Sequence, residues 1–209
     1  DHIGLPLIDI DTNLYNFYSG LGFQQTHTPR NASVAHLLQR GICRFFYAST
    51  FPYENVYIGP IYDMAYSDTI TLPLLSTESI DMISVGSEYT RVEKTLKVAT
   101  IEDSYSALDI CVKGSRNCST CWKCKRTILT LEIAGLLDRY SNVFDFDAYQ
   151  KVRNLYIAEV LQSHDPLLSE ICEFMKGNDF RIPISSRLLV PYARLKYSAK
   201  KTAIQAAKR

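Results

Sequence analysis

The stretch Cys111-Val-Lys-Gly-Ser-Arg-Asn-Cys-Ser-Thr-Cys-Trp-Lys-Cys124 decides how the chain is read. Four of its six cysteines fall within these fourteen residues, spaced C-x6-C-x2-C-x2-C. Thiols this close cannot all pair with one another without severe strain, because a disulfide holds its Cα atoms about 4.4–6.8 Å apart in a fixed orientation. A secreted disulfide framework spreads its cysteines along the chain instead. A C-x2-C turn points two sulfurs at one spot, and two further sulfurs complete a tetrahedron around zinc with Zn–S of about 2.3 Å. The expected ligands are Cys111, Cys118, Cys121 and Cys124. The last two fall at the start of a helical pattern, where the dipole favours thiolate. Lys113, Arg116, Lys123, Lys125 and Arg126 offset the double negative charge of such a centre. With every position held by protein, the ion is structural rather than catalytic. Two other readings stay open here. A [4Fe–4S] cluster uses similar spacing, although the ferredoxin form places its remote cysteine downstream and before a proline. A redox Cys121-x-x-Cys124 pair leaves Cys111 and Cys118 idle. Cys43 and Cys172 sit in apolar runs and read as small core hydrophobes.

Upstream of the cysteines, short apolar runs alternate with helical patterns. Residues 5–10 read as a buried strand ending in polar Asp11-Thr12-Asn13. Residues 32–40 have helical spacing and stop at Gly41. Residues 42–47 form a second strand pattern followed by Ala48-Ser49-Thr50, and 80–85 a third. Between them, 51–79 carry Pro52, Pro60 and Pro73 and read as a long surface excursion. Thr90-Arg-Val-Glu93 is a capping box opening a helix to about Ala99, and 107–110 form a fourth strand pattern leading into Cys111. Downstream, the pattern is helical. Residues 123–140 put Ile128, Leu131, Ala134 and Leu137 on one stripe, Asp147 caps a helix to about Gln162, and Pro166 opens another that ends near Gly177. A basic helix follows from Ser185. Strand–helix alternation predicts an α/β fold with a mainly parallel sheet and helices on both faces. Ligands of such sheets gather outside the carboxyl ends of the strands. The expected organisation is an α/β domain over residues 1–125, ending in the cysteine cluster, and a helical region over 126–209 with a basic tail.

The 209 residues are 46% hydrophobic and 22% charged, which excludes wholesale disorder and a collagen-like fibre. Mean hydropathy is −0.08 and no run approaches ~20 apolar residues, so no membrane span is expected. No leader-like apolar segment follows Asp1, which predicts a cytoplasmic location and a chain that starts inside a longer protein or after processing. A net charge of +1 conceals an asymmetry: all 22 acidic residues lie at or before Asp179, whereas the last 29 residues carry eight Lys or Arg. A near-neutral total argues against a general nucleic-acid binder. The tail either contacts RNA or a protein, or is a solvated helix lying against an acidic body. His27, His36 and His164 lack recognisable partners in the sequence.

On the run Asn117-Cys-Ser-Thr-Cys-Trp-Lys-Cys-Lys-Arg126, with Cys111 ahead and a long helix behind, the chain resembles the PP-loop ATP pyrophosphatases, the family that includes 7-cyano-7-deazaguanine synthase. In that family a C…CxxCxxC element closes the domain. Asp11-Thr12-Asn13, Tyr47-Ala-Ser-Thr50 and Arg91-x-x-Lys94 are similar to its second-strand, strand-end and phosphate-proximal segments, so the likeness runs over roughly residues 5–140. The resemblance implies a Rossmann-like parallel sheet of the adenine nucleotide alpha hydrolase type, with a zinc knuckle and a helical C-terminal region. It implies an ATP-dependent ligase in which ATP, with Mg2+, adenylates a small-molecule carboxylate, and a nitrogen nucleophile then displaces AMP to give an amide or nitrile. Arg91 and Lys94 would meet phosphates or the substrate carboxylate, or else form a solvated first helical turn. Ser49 and Thr50 would donate to phosphate, or cap a turn; Asp11 and Asn13 would bind adenosine, or cap a helix. A homo-oligomer is a further expectation. One departure stands out: the family's Ser-Gly-Gly-x-Asp-Ser phosphate loop is absent, and Ser19-Gly20-Leu21-Gly22 is not that motif. Either the loop precedes Asp1 or catalysis is lost. The alternative function is therefore a non-catalytic, zinc-stabilised module that binds a protein or RNA.

Overall fold

Two of the four strand patterns become a sheet. The computed structural model describes residues 4–60, 62–114 and 116–206, with side chains described as far as residue 198; Asp1 and the tail residues Lys208 and Arg209 lie outside them. Helices α1 (Leu14–Phe17) and α2 (Phe23–Leu37) precede strand β1 (Arg44–Ala48); helix α3 (Asp68–Leu74) leads to strand β2 (Asp81–Val85). The strands pair in parallel, from Arg44 opposite Asp81 to Ala48 opposite Val85. Their inner faces pack Ile80 and Met82 against Ala32 and Ala35 of α2 and Leu72 of α3, with Phe45 and Tyr47 half-buried beside them. The sheet has these two strands alone among the described residues, so the structure is a mixed α/β chain that is mostly helical. Residues 5–10 are not a strand: Leu5, Leu7 and Ile8 are 73%, 84% and 63% exposed. Pro6 has no amide to donate to a ladder, and among the described residues no strand pairs with this run. The expected surface excursion 51–79 contains α3, whose buried Leu72 was hidden by the adjacent Pro73. Cys43 is exposed rather than in the core, because it lies on the bend before β1 and not on a packed strand face.

The second compact unit begins earlier than residue 126. The chain divides into Asp1–Glu88 and Tyr89–Arg209, so the cysteine segment belongs with the helices rather than closing the α/β part. Its helices are α4 (Arg91–Val98), α5 (Ser104–Ala107), α6 (Trp122–Ile133), α7 (Phe146–Gln162), α8 (Pro166–Gly177) and α9 (Ile184–Ala206). The fourth strand pattern is instead the end of α5 followed by an irregular segment. α4 starts with the expected capping box: the Thr90 hydroxyl accepts from the Glu93 amide at 3.2 Å and Glu93 accepts from the Thr90 amide at 2.8 Å. α7 is capped by Asp145 and not Asp147, its carboxylate accepting from the Ala148 amide at 2.9 Å. Among the described residues, no helix is long and apolar enough to cross a membrane.

α6 organises this unit because it is apolar on two sides. Leu129 and Ile133 pack with Val92, Tyr156, Ile157, Val160, Ile171 and Met175. Ile128 and Leu131 pack with Cys121, Cys124, Tyr140, Phe144 and Tyr149. Burying each large side chain contributes about 1.5–3 kcal/mol. Ion pairs join α6 to α7: Arg153 Nε donates to both Glu132 oxygens at 2.8 and 3.0 Å, the Tyr149 hydroxyl donates to the same carboxylate at 2.8 Å, and Lys125 donates to Glu159 at 3.2 Å. The helical stripe read over 123–140 breaks at Gly135, whose φ of 68° ends α6 in a left-handed turn. There the Gly135 amide donates to the Glu132 carbonyl at 3.1 Å and the Leu136 amide to that of Leu131 at 2.9 Å, satisfying carbonyls that α6 leaves over. A Cβ at Gly135 meets nothing within 4 Å, so only the backbone resists it. Gly135→Ala is expected to destabilise the fold by about 1 kcal/mol, read from the urea midpoint at unchanged slope.

Candidate metal centre

The four cysteines of the 111–124 segment converge. The sulfurs of Cys111, Cys118, Cys121 and Cys124 all lie within 4.8 Å of one another, and those of Cys121 and Cys124 are 3.4 Å apart. Thiolates around one tetrahedral zinc sit about 3.8 Å apart, as Zn–S distances of about 2.3 Å require. The donor set therefore suits a single structural metal ion such as zinc. An iron–sulfur cube binds each thiolate to a different iron and needs them spread wider.

Local structure brings them together. Ser119, fully buried, adopts a left-handed φ of 57° that folds 118–121 into a knuckle. Its hydroxyl accepts from the Asp145 amide at 2.8 Å, which ties the knuckle to the start of α7. Backbone amides then point at sulfur: Cys121 N donates to Cys118 Sγ at 3.3 Å, Cys124 N to Cys121 Sγ at 3.5 Å, and Lys113 N to Cys111 Sγ at 3.3 Å. Cys111 is brought alongside by Asn117, whose side chain donates to the Leu108 carbonyl at 2.7 Å and accepts from the Ile110 amide at 3.0 Å. One amide side chain does what a neighbouring strand would have done for 107–110.

The amide bonds divide the thiols electrostatically. Burial raises the Cys118 pKa, but hydrogen bonds from Thr120 and Cys121 outweigh it and bring it down to about 6. Cys121 is lowered in the same way, its burial outweighed by the Cys124 amide. Cys124 is pushed up strongly, by its own burial first and then by the hydrogen bond and charge of Cys121 and the charge of Cys118. The cluster without a cation thus keeps protons on some of its sulfurs, and a metal ion must displace them.

The remaining candidates are distributed between the two units. Asp11 is exposed on irregular backbone and Asn13 is exposed ahead of α1, where its side chain forms no capping bond. Ser49 is buried at the carboxyl end of β1, its amide donating to the Val85 carbonyl at 2.9 Å, and Thr50 follows it half-buried. Arg91 and Lys94 stand in the first turn of α4 in the other unit. The anion-attracting start of that helix is taken by a carboxylate of the chain: Glu170 Oε2 accepts from the amides of Arg91 at 2.8 Å and Val92 at 3.3 Å. Burial, with Arg126 nearby, lowers the Arg91 pKa to about 10 against the opposing pull of Glu170.

His27, which has no local signal, turns out to be buried with three partners. Its Nδ1 lies 3.0 Å from the Tyr47 hydroxyl and 3.2 Å from that of Thr28, and its Nε2 lies 3.2 Å from Asp63 Oδ1. Asp63 and Tyr47 are 36 and 20 residues away in sequence, beyond any spacing rule.

Comparison with protein-family models, with curated proteins and with solved structures returns no match.

Two outcomes test the centre. The purified chain is expected to carry one metal ion, and chelation or Cys118→Ser to lower the thermal midpoint of the helical unit, with affinity rising with pH as thiol protons are lost; metal analysis and calorimetry across pH measure this. Asn117→Ala is expected to cost about 1–3 kcal/mol in denaturant unfolding, since it removes two bonds that position Cys111.

Proposed function

We propose that the chain is the zinc-stabilised larger part of an ATP-dependent carbon–nitrogen ligase of the PP-loop pyrophosphatase type. The observation that carries this reading is the convergence of Cys111, Cys118, Cys121 and Cys124 at the start of α6, on the motif that bears the resemblance. Zinc would be held by those four thiolates and would do structural work, clamping residues 111–121 onto α6. A parallel strand pair with Ser49 and Thr50 at one carboxyl end gives further support, since nucleotide sites in α/β sheets form at such ends. Lys94 and Arg91 are the side chains assigned to neutralise phosphate or carboxylate charge, work that accounts for most of the catalysis in phosphoryl and adenylyl transfer. ATP, when bound, would supply the adenylyl group and the leaving pyrophosphate, and Mg2+ would offset the phosphate charge. A chain extended upstream of Asp1 to include the phosphate loop is expected to release pyrophosphate from ATP in the presence of its carboxylate, and Lys94→Ala to slow that release at least ~tenfold. An extended chain that lacks the loop, or releases nothing, overturns the reading.

A second reading is favoured by α9. Ile184, Leu188, Tyr192 and Leu195 recur every three to four residues along it and are 76%, 75%, 55% and 71% exposed. That apolar line, beside Arg187 and Arg194, suits a protein surface better than RNA and is the basis for a non-catalytic binding module.

A further inference from the structure

Helices α6, α7, α8 and α9 border a cavity of about 550 Å3, within the range of small-molecule sites. Its lining sets Trp122, Tyr156 and Tyr197 beside the cations Lys125, Arg126 and Lys196. Most charges there are met within the chain. Lys125 and Lys196 both donate to Glu159, at 3.2 and 3.3 Å, and Asp165 accepts from the Leu167 amide at 2.9 Å. Two groups are not met. Arg126 Nε and the Tyr156 hydroxyl are buried without a hydrogen bond, on residues only 8% and 3% exposed. Among the described residues Arg126 forms no ion pair; its guanidinium carbon lies 5.1 Å from the centre of the Trp122 ring. Leaving such groups unmet costs about 1–3 kcal/mol each, more for a charged one, which points to a partner from outside the chain. Trp122 itself is 54% exposed, so part of its ring is open to a second layer.

We propose that this cavity binds a small anion bearing an aromatic ring, its phosphate or carboxylate oxygens accepting from Arg126 and Tyr156 and its ring lying against Trp122. Arg126 can only donate and Tyr156 can also donate, so both fit oxygen acceptors. The planar guanidinium edge matches carboxylate and phosphate alike. Leu167 and Leu168 supply apolar wall for the ring. The site is built from the helical unit alone and does not rest on the ligase reading.

Trp122 is the only tryptophan in the chain, so its emission reports directly on the cavity. The metal-loaded protein is titrated with adenosine monophosphate, with benzoate and with inorganic phosphate. A saturable change in emission is expected with at least one of the two aromatic anions, and the tighter of the two identifies the oxyanion. Tyr156→Phe should weaken that binding roughly three- to tenfold, the size of one hydrogen bond, without lowering the thermal midpoint of the free protein. Arg126→Lys, which keeps the charge but loses the fork, should weaken it about tenfold or more. No saturable change with either aromatic anion overturns the proposal. So does inorganic phosphate that binds as tightly as both, or affinity that Tyr156→Phe leaves unchanged.

Discussion

Four sulfurs aimed at one point impose the constraint on which the helical unit depends. Bringing Cys111, Cys118, Cys121 and Cys124 within 4.8 Å of one another places ionisable groups where their charges repel. Amides favour the Cys118 and Cys121 thiolates, while Cys124, raised first by its own burial, is raised further by those two neighbours. Protons kept on some of the sulfurs relieve the conflict, and a bound cation would relieve it for all four. Its consequences reach beyond the knuckle, because Cys121 and Cys124 are also members of the core that packs one side of α6. The other side of α6 carries Leu129 and Ile133 into the second cluster. The thiols are therefore part of the packing of the two-sided helix as well as of the cluster.

This explains which parts of the fold were legible beforehand. Features written in local chemistry were readable. The thiol spacing, the Thr90–Glu93 box and Pro166 at the start of α8 each act within one turn of chain, and all three stand in the structure as read. Features that depend on a distant partner were not. The apolar run 5–10 has the composition of a strand, but a strand exists only where it pairs, and among the described residues this run pairs with none. The 107–110 segment failed in the same way, its expected neighbour replaced by the side chain of Asn117. His27 shows the reverse case: no local sign, yet contacts with Tyr47 and Asp63 from two other stretches of chain. Small shifts at helix ends, Asp145 for Asp147 and the stop at Gly135, reflect single residues whose geometry outvoted periodicity.

The likeness to the ATP pyrophosphatases draws its weight from one segment. Its other elements fall partly on the strand-bearing unit, with Ser49 and Thr50 at the end of β1, and partly on α4 of the helical unit. The cysteine segment lies wholly within the latter, downstream of the division at Glu88. A structural ion held there would rigidify the helical framework around α6.

The carboxylate of Glu170 fills the beginning of α4. It sits on the two backbone amides that an incoming oxyanion would seek. Glu170 belongs to α8, so the same two bonds also tie that helix to α4, and an oxyanion arriving there would have to break this tie.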